Sequence, residues 1–132
     1  MRRSTHPSRF SIRLPAMAAM FLAAMSLGAA PSFHFGLAKS APAEGDTAAA
    51  VSQVELWFTQ VPQDGSLSVR VVTAGGDLVP AGDPEQDPED GKHFTVNLDD
   101  TLPPGAYTVA WRGMGDDGHV VRGEFGFAVT ES

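Results

Sequence analysis

From Val54 onward the chain repeats one pattern, apolar residues at every second position in short runs separated by Gly, Pro and Asp. Val54, Leu56 and Phe58 alternate with Glu55, Trp57 and Thr59, and Leu67, Val69 and Val71 alternate with Ser68, Arg70 and Val72. A period of two is the side-chain repeat of an extended strand, and it puts the apolar set on one face. The pattern returns at Phe94, Val96 and Leu98, at Tyr107, Val109 and Trp111, and at Phe125, Phe127 and Val129. No stretch after Ala50 carries a helical repeat. Half-apolar strands of this kind bury their faces only by packing sheet on sheet.

The expected fold is therefore all-β, an Ig-like or Greek-key antiparallel β-sandwich or barrel. Pro103-Pro104-Gly105 reads as a tight bend feeding the Tyr107 strand. The acidic insert from Ala81 to Gly91 reads as a mobile loop between strands. A calcium loop is disfavoured there, because EF-hand ligand spacing is missing and Pro84 and Pro88 restrict wrapping around an ion.

The first thirty residues follow other rules. Arg2, Arg3, Arg9 and Arg13 form a basic head, and Leu14 to Ala30 is apolar without a charge. Its centre, Ala16 to Leu27, falls short of the roughly 20 apolar residues that span a bilayer. Residues 1–30 are read as a secretory signal peptide, leaving a mature domain over 31–132 that is exported and not inserted in the membrane. The cut falls between 29 and 32. Pro31 disfavours cleavage after Ala30, so cleavage after Ala29 or Ser32 is expected.

Export shifts the charge balance. Four of the nine basic residues leave, and five remain against sixteen acids, a net charge of −11 with His neutral. Such a domain repels nucleic acid and anionic lipid, and suits a cationic ligand. There is no cysteine, so packing alone holds the domain together, and any metal site must draw on His, Asp, Glu, Met or backbone groups.

The mature region has three histidines. His34 stands near the new N-terminus. His93 lies in a strand beside the inward Phe94, which turns it outward as a surface side chain. His119 ends the run Met114-Gly115-Asp116-Asp117-Gly118-His119. On an extended segment Asp117 and His119 leave the same face about 7 Å apart, a spacing that lets two ligands converge on one ion. By itself the pair is weak, since Asp-Gly is an ordinary turn former. Tyr107 and Trp111 read as core, with Trp111 also placed to shield a metal site. Trp57 points away from Phe58, toward either a second apolar face or an exposed patch.

The wider context is more specific. The run L-P-P-G-A-Y-T-V-A-W-R-G-M-G-D-D-G-H-V-V-R-G-E-F-G-F-A-V resembles the signature of CopC domains, and H-F-G-L-A-K-S-A-P-A-E-G is similar to that family's opening. The resemblance implies a periplasmic carrier or buffer of Cu(II) in copper homeostasis and resistance, not an enzyme, with His34, Asp117 and His119 as metal ligands. It also implies a membrane copper transporter of the CopD type as partner. Nitrogen and oxygen donors suit Cu(II), which tops the divalent affinity series.

Three departures from the family pattern stand out. His34 is preceded by Pro31-Ser32-Phe33, whereas in better-studied members the His is itself the first mature residue and adds its amine. Met114 is the one methionine left after signal removal, too few for a Cu(I) site. Asp116 stands where small neutral residues are usual. Two other classes remain open at this level: a non-metal Ig-like interaction module, and an oxidative copper enzyme built on an N-terminal histidine brace.

Overall fold

The computed structural model describes residues 34–131. The signal segment predicted over 1–30 lies outside the described residues. Eight strands follow in order: β1 Leu37–Ala41, β2 Thr47–Ala48, β3 Gln53–Phe58, β4 Ser68–Thr73, β5 Glu85–Asp87, β6 Asp90–Asn97, β7 Gly105–Met114 and β8 Val120–Val129. Among the described residues there is no helix. One sheet has the order β1-β3-β6-β5 and the other β2-β8-β7-β4. All neighbours are antiparallel except β2, which runs parallel to β8.

The period-two apolar sets supply the core. Val54, Leu56 and Phe58 from β3, Phe94 and Val96 from β6, and Val71 from β4 are buried together with Tyr107, Val109, Trp111, Phe125, Phe127 and Val129 from β7 and β8. Leu67 and Val69 pack on the core but keep partial exposure. Each strand is thus committed by burial to one register, because a slip of one residue would turn its apolar set to water. At the start of β7 the Tyr107 hydroxyl donates to the Pro103 carbonyl at 2.6 Å, pinning the predicted Pro-Pro-Gly bend to the strand it feeds.

The acidic insert differs from its expected form. It is not a loop throughout: Glu85–Asp87 form β5, the edge of the first sheet, and β6 already begins at Asp90. Between them the Asp87 carboxylate accepts the Glu89 amide at 2.8 Å, and Asp90 accepts the Lys92 amide at 3.0 Å. An edge strand has one side open to water, so its carboxylates need no burial, and their charge discourages pairing with another chain. No side chain of β5 is fully buried, so the alternation that reveals a buried strand is absent there.

Candidate metal centre

The β7–β8 hairpin is the longest ladder in the molecule, running in register from Gly105↔Val129 to Met114↔Val120. At its tip the chain makes a β-turn, closed by the Gly118 amide donating to the Gly115 carbonyl at 3.1 Å, with Gly118 at φ +80°. Asp117 and His119 therefore do not sit on an extended segment as expected. The chain reverses at Asp116 and Asp117, and Gly118 closes the turn in the left-handed region that glycine enters without steric cost. The turn still brings the two side chains together.

The Asp117 carboxylate accepts the His119 amide at 3.0 Å through Oδ1, while Oδ2 lies 3.0 Å from His119 Nδ1. These two interactions, the backbone amide first, hold the Asp117 carboxyl below the usual carboxylate range, so it is anionic at neutral pH. A carboxylate only accepts, so Nδ1 carries the proton, and in a neutral ring Nε2 then holds the open lone pair. The His119 side chain is 82% exposed and that of Asp117 53% exposed. An ion arriving from solvent meets nothing in its way.

His34 is placed by its neighbours. Its carbonyl accepts the Thr59 hydroxyl at 2.7 Å, and the Thr59 Oγ1 in turn accepts the Gly36 amide at 3.0 Å. The next residue, Phe35, is buried and stacks on Phe58 with ring centroids 5.0 Å apart, its edge toward Trp111. A β-carbon at Gly115 would sit 2.7 Å from the Phe35 Cβ, so only glycine lets the chain after β7 lie this close against the segment that leads into β1. His34 is thereby anchored at the same end of the sandwich as the Asp117–His119 turn. The three residues do not close into one cluster: among the described residues no group of three His, Cys, Asp or Glu side chains lies in position to hold a metal.

Trp111 is a core residue, buried against Phe35 and Phe58. His93 does leave the core face, as expected, but it is not an ordinary surface residue. Its side chain is 16% exposed, with Nδ1 3.0 Å from Asp87 and Nε2 3.0 Å from Glu55. Its ring stacks on Trp57 at 4.3 Å, and the Lys39 ammonium lies 4.6 Å from the centre of the Trp57 ring. This settles the open reading of Trp57, which belongs to an outer-face cluster.

Residues 37–130 match the CopC domain. The chain belongs to the CopC domain family. The matched segment includes Asp117 and His119 and begins just after His34. The chain is 28% identical to copper resistance protein C of Pseudomonas syringae pv. tomato over 127 residues, 83% of this chain and 91% of that protein. It is 30% identical over 100 residues to the copper transport protein CutJ of Bacillus subtilis, covering 75% of this chain but only 18% of that much longer protein. The crystal structure of CopC from Methylosinus trichosporium OB3b superimposes with a TM-score of 0.67 at 26% identity, over 74% of this chain and 95% of that one. PcoC, a methionine-rich copper resistance protein from Escherichia coli, shares the fold at a TM-score of 0.67 and 24% identity, over 74% of this chain and 99% of that one.

The residues that support the turn were not legible in the sequence. Gln63 donates its side-chain amide to the Gly115 carbonyl at 2.8 Å, and its backbone amide to the Met114 carbonyl at 2.9 Å. Gln60 accepts the Asp116 amide at 3.4 Å. Together with Thr59 they stitch the loop after β3 to the turn and to the chain start. Polar residues after a strand normally mark a solvated loop, and only the pairing of the two ends reveals their partners.

Proposed function

We propose that this chain is an exported, periplasmic protein that carries or buffers Cu(II) in copper homeostasis and resistance, with His34, Asp117 and His119 as its copper ligands. The observation that supports this best is the Asp117–His119 pair, held 3.0 Å apart on an exposed turn inside the segment that matches the CopC domain. The donor set fits the cargo. Asp117 offers an anionic oxygen and His119 an imidazole nitrogen, with the Nδ1 contact between them giving way when both bind one ion, because Nε2 faces away from Asp117 while that contact stands; His34 stands at the same end to add an imidazole, which makes a nitrogen and oxygen site of the kind Cu(II) prefers.

Exposure favours a carrier over a permanent store. A site of few donors open to water loads and unloads without unfolding the domain around it. The receiving partner in this reading is a membrane copper transporter of the CopD type, and the chain binds its metal without catalysing a reaction. Among the described residues Met114 is the one methionine, so the cargo is assigned as Cu(II) and not Cu(I). A stoichiometric titration of the mature domain at neutral pH tests the reading. One Cu(II) per chain is expected, with a d–d absorption band and a tetragonal EPR signal; no binding would overturn it.

A further inference from the structure

The outer face of the β2-β8-β7-β4 sheet carries a charge pattern that the copper site does not explain. The register sets six outward residues in a grid of two rows: Arg70, Ala110 and Glu124 in one, and Ser68, Arg112 and Arg122 in the other. Three of the five basic residues that follow the predicted signal segment thus stand on one patch of a domain with sixteen acids. Arg112 and Arg122 face each other directly across β7 and β8, an arrangement that destabilises a sheet when nothing neutralises it. None of the three arginines makes an ion pair or side-chain hydrogen bond among the described residues. They surround a groove of about 500 Å³ floored by Ala110 and Ser68.

We propose that this groove docks an extended acidic segment of a partner protein, and that it does so beside the Asp117–His119 turn. Guanidinium forks match carboxylates bidentately. Arg70 and Arg112 are offset by two residues along the ladder, about 7 Å, which equals the spacing of alternate side chains on an extended peptide. Carboxylates at every second position would therefore meet successive arginines. A flat anionic membrane fits less well, because Glu124 within the grid and Asp116 and Asp117 at the turn would be pressed against it.

The other dense acidic stretch, Asp83 to Asp90, lies on the opposite sheet. At about 0.1 M salt the screening length is about 10 Å, so the local patch, not the net charge of the domain, governs approach to this face. Arg112 and Arg122 belong to the hairpin whose tip holds Asp117 and His119, and from Arg112 to the strand end at Met114 is only about 7 Å. A segment held here brings its protein next to the metal turn. That such a partner is the acceptor of the copper rests on the function proposed above; the docking itself does not.

The test uses copper-free mature protein and a short fluorescein-labelled peptide of alternating Glu and Ser, followed by fluorescence anisotropy at about 0.1 M salt. Saturable binding is expected, weakened about tenfold or more in the Arg112→Gln/Arg122→Gln double variant, because two charge-assisted pairs are lost. Lys92→Gln, on the other sheet, leaves binding unchanged. Peptide-induced amide shifts in the unaltered domain should fall on β4, β7 and β8. Absence of saturable binding, an equal loss from Lys92→Gln, or shifts on the other sheet overturns the proposal. So does displacement of the peptide by inorganic phosphate at matched ionic strength, which would make the groove a small-anion site, or binding to phosphatidylglycerol vesicles without binding to the peptide. Because no copper is present, failure here leaves the copper titration standing, and failure of that titration leaves the groove standing.

Discussion

His93 and His119 each stand 3.0 Å from a carboxylate, yet their surroundings assign them opposite work. His93 is clamped on both ring nitrogens, by Glu55 and Asp87, and covered by Trp57. Both nitrogens face a carboxylate instead of open solvent, and the carboxylates point at the ring instead of at a shared point in space. His119 is held on one nitrogen only and its ring faces solvent. Under the proposed function, the difference is that proximity of His to Asp or Glu is not enough for a metal site. What counts is a donor left unsatisfied by the protein and open to arrival from outside.

The largest expected effect breaks this comparison if it fails. His119→Ala should lower Cu(II) affinity by at least about 100-fold, since losing a ligand costs no less than losing a group that merely orients one. His93→Ala should leave affinity unchanged within error. Competition against a chelator of known affinity measures both. Equal losses from the two variants would overturn this assignment of roles.

A second prediction sharpens what His119 lacks. Its turn brings one carboxylate, so further donors must come from the chain start, and His34 is expected to supply them. Trimming the protein to begin at His34 would let the terminal amine join the imidazole in one chelate ring. Affinity should rise about tenfold, roughly the contribution of one added ligand interaction. The check is Cu(II) competition on full-length mature and trimmed forms, with intact mass fixing the natural N-terminus. Equal affinity in the two forms would remove the amine from the site.

Stability should divide the histidines in the reverse sense. Removing the His93 ring leaves Glu55 and Asp87 facing each other without their shared donor and takes away the stacking on Trp57. A lower urea midpoint is expected, because the two carboxylates lose their hydrogen-bond partner and the stacking on Trp57 is gone. His119→Ala should not move the urea midpoint. A midpoint that shifts for His119 and not for His93 would contradict the burial seen at the two sites.

The difference between these histidines also marks the limit of what the amino-acid order reveals. The five core strands were legible because burial enforces alternation, and Val54 to Phe58 or Tyr107 to Trp111 cannot be shifted without exposing them. β1, β2 and β5 were not, because these short strands place no side chain fully in the core and so need no apolar repeat. The Asp117–His119 pair was visible as local spacing, although the β-turn that joins them was expected as extended chain. The Glu55–His93–Asp87 clamp was invisible, since its members come from three strands and meet only through the register Trp57↔His93 and the β5–β6 hairpin. Local chemistry survives in the order of residues; contacts between distant strands depend on a pairing that the order implies only after the whole sheet is built.

The smallest expected effect concerns acid. The Asp87 carboxyl is held below the usual carboxylate range, first by the Glu89 amide and then by hydrogen bonding to His93. A carboxyl whose folded-state value is lowered binds fewer protons in the native than in the unfolded chain, so its contribution is complete above the unfolded value and fades as pH falls through the folded one. For Asp87 that window lies below about pH 4. The clamp should therefore stabilise the domain fully at pH 6 and lose the Asp87 share on acidification to about pH 3. Asp87→Asn removes the titrating group, so the variant is expected to start from a lower midpoint at pH 6 and to lose less between the two pH values. The measurement is urea denaturation of both proteins at each pH. The exposed turn offers the contrast: Asp117 is also lowered, but in the proposed function copper would compete with protons for it and for the imidazoles, so acid is expected to act there on metal release, with affinity falling below about pH 6. If Asp87→Asn instead steepens the acid sensitivity, the carboxylate is not what holds His93 in place, and the clamp must be ascribed to Glu55 and Trp57 alone.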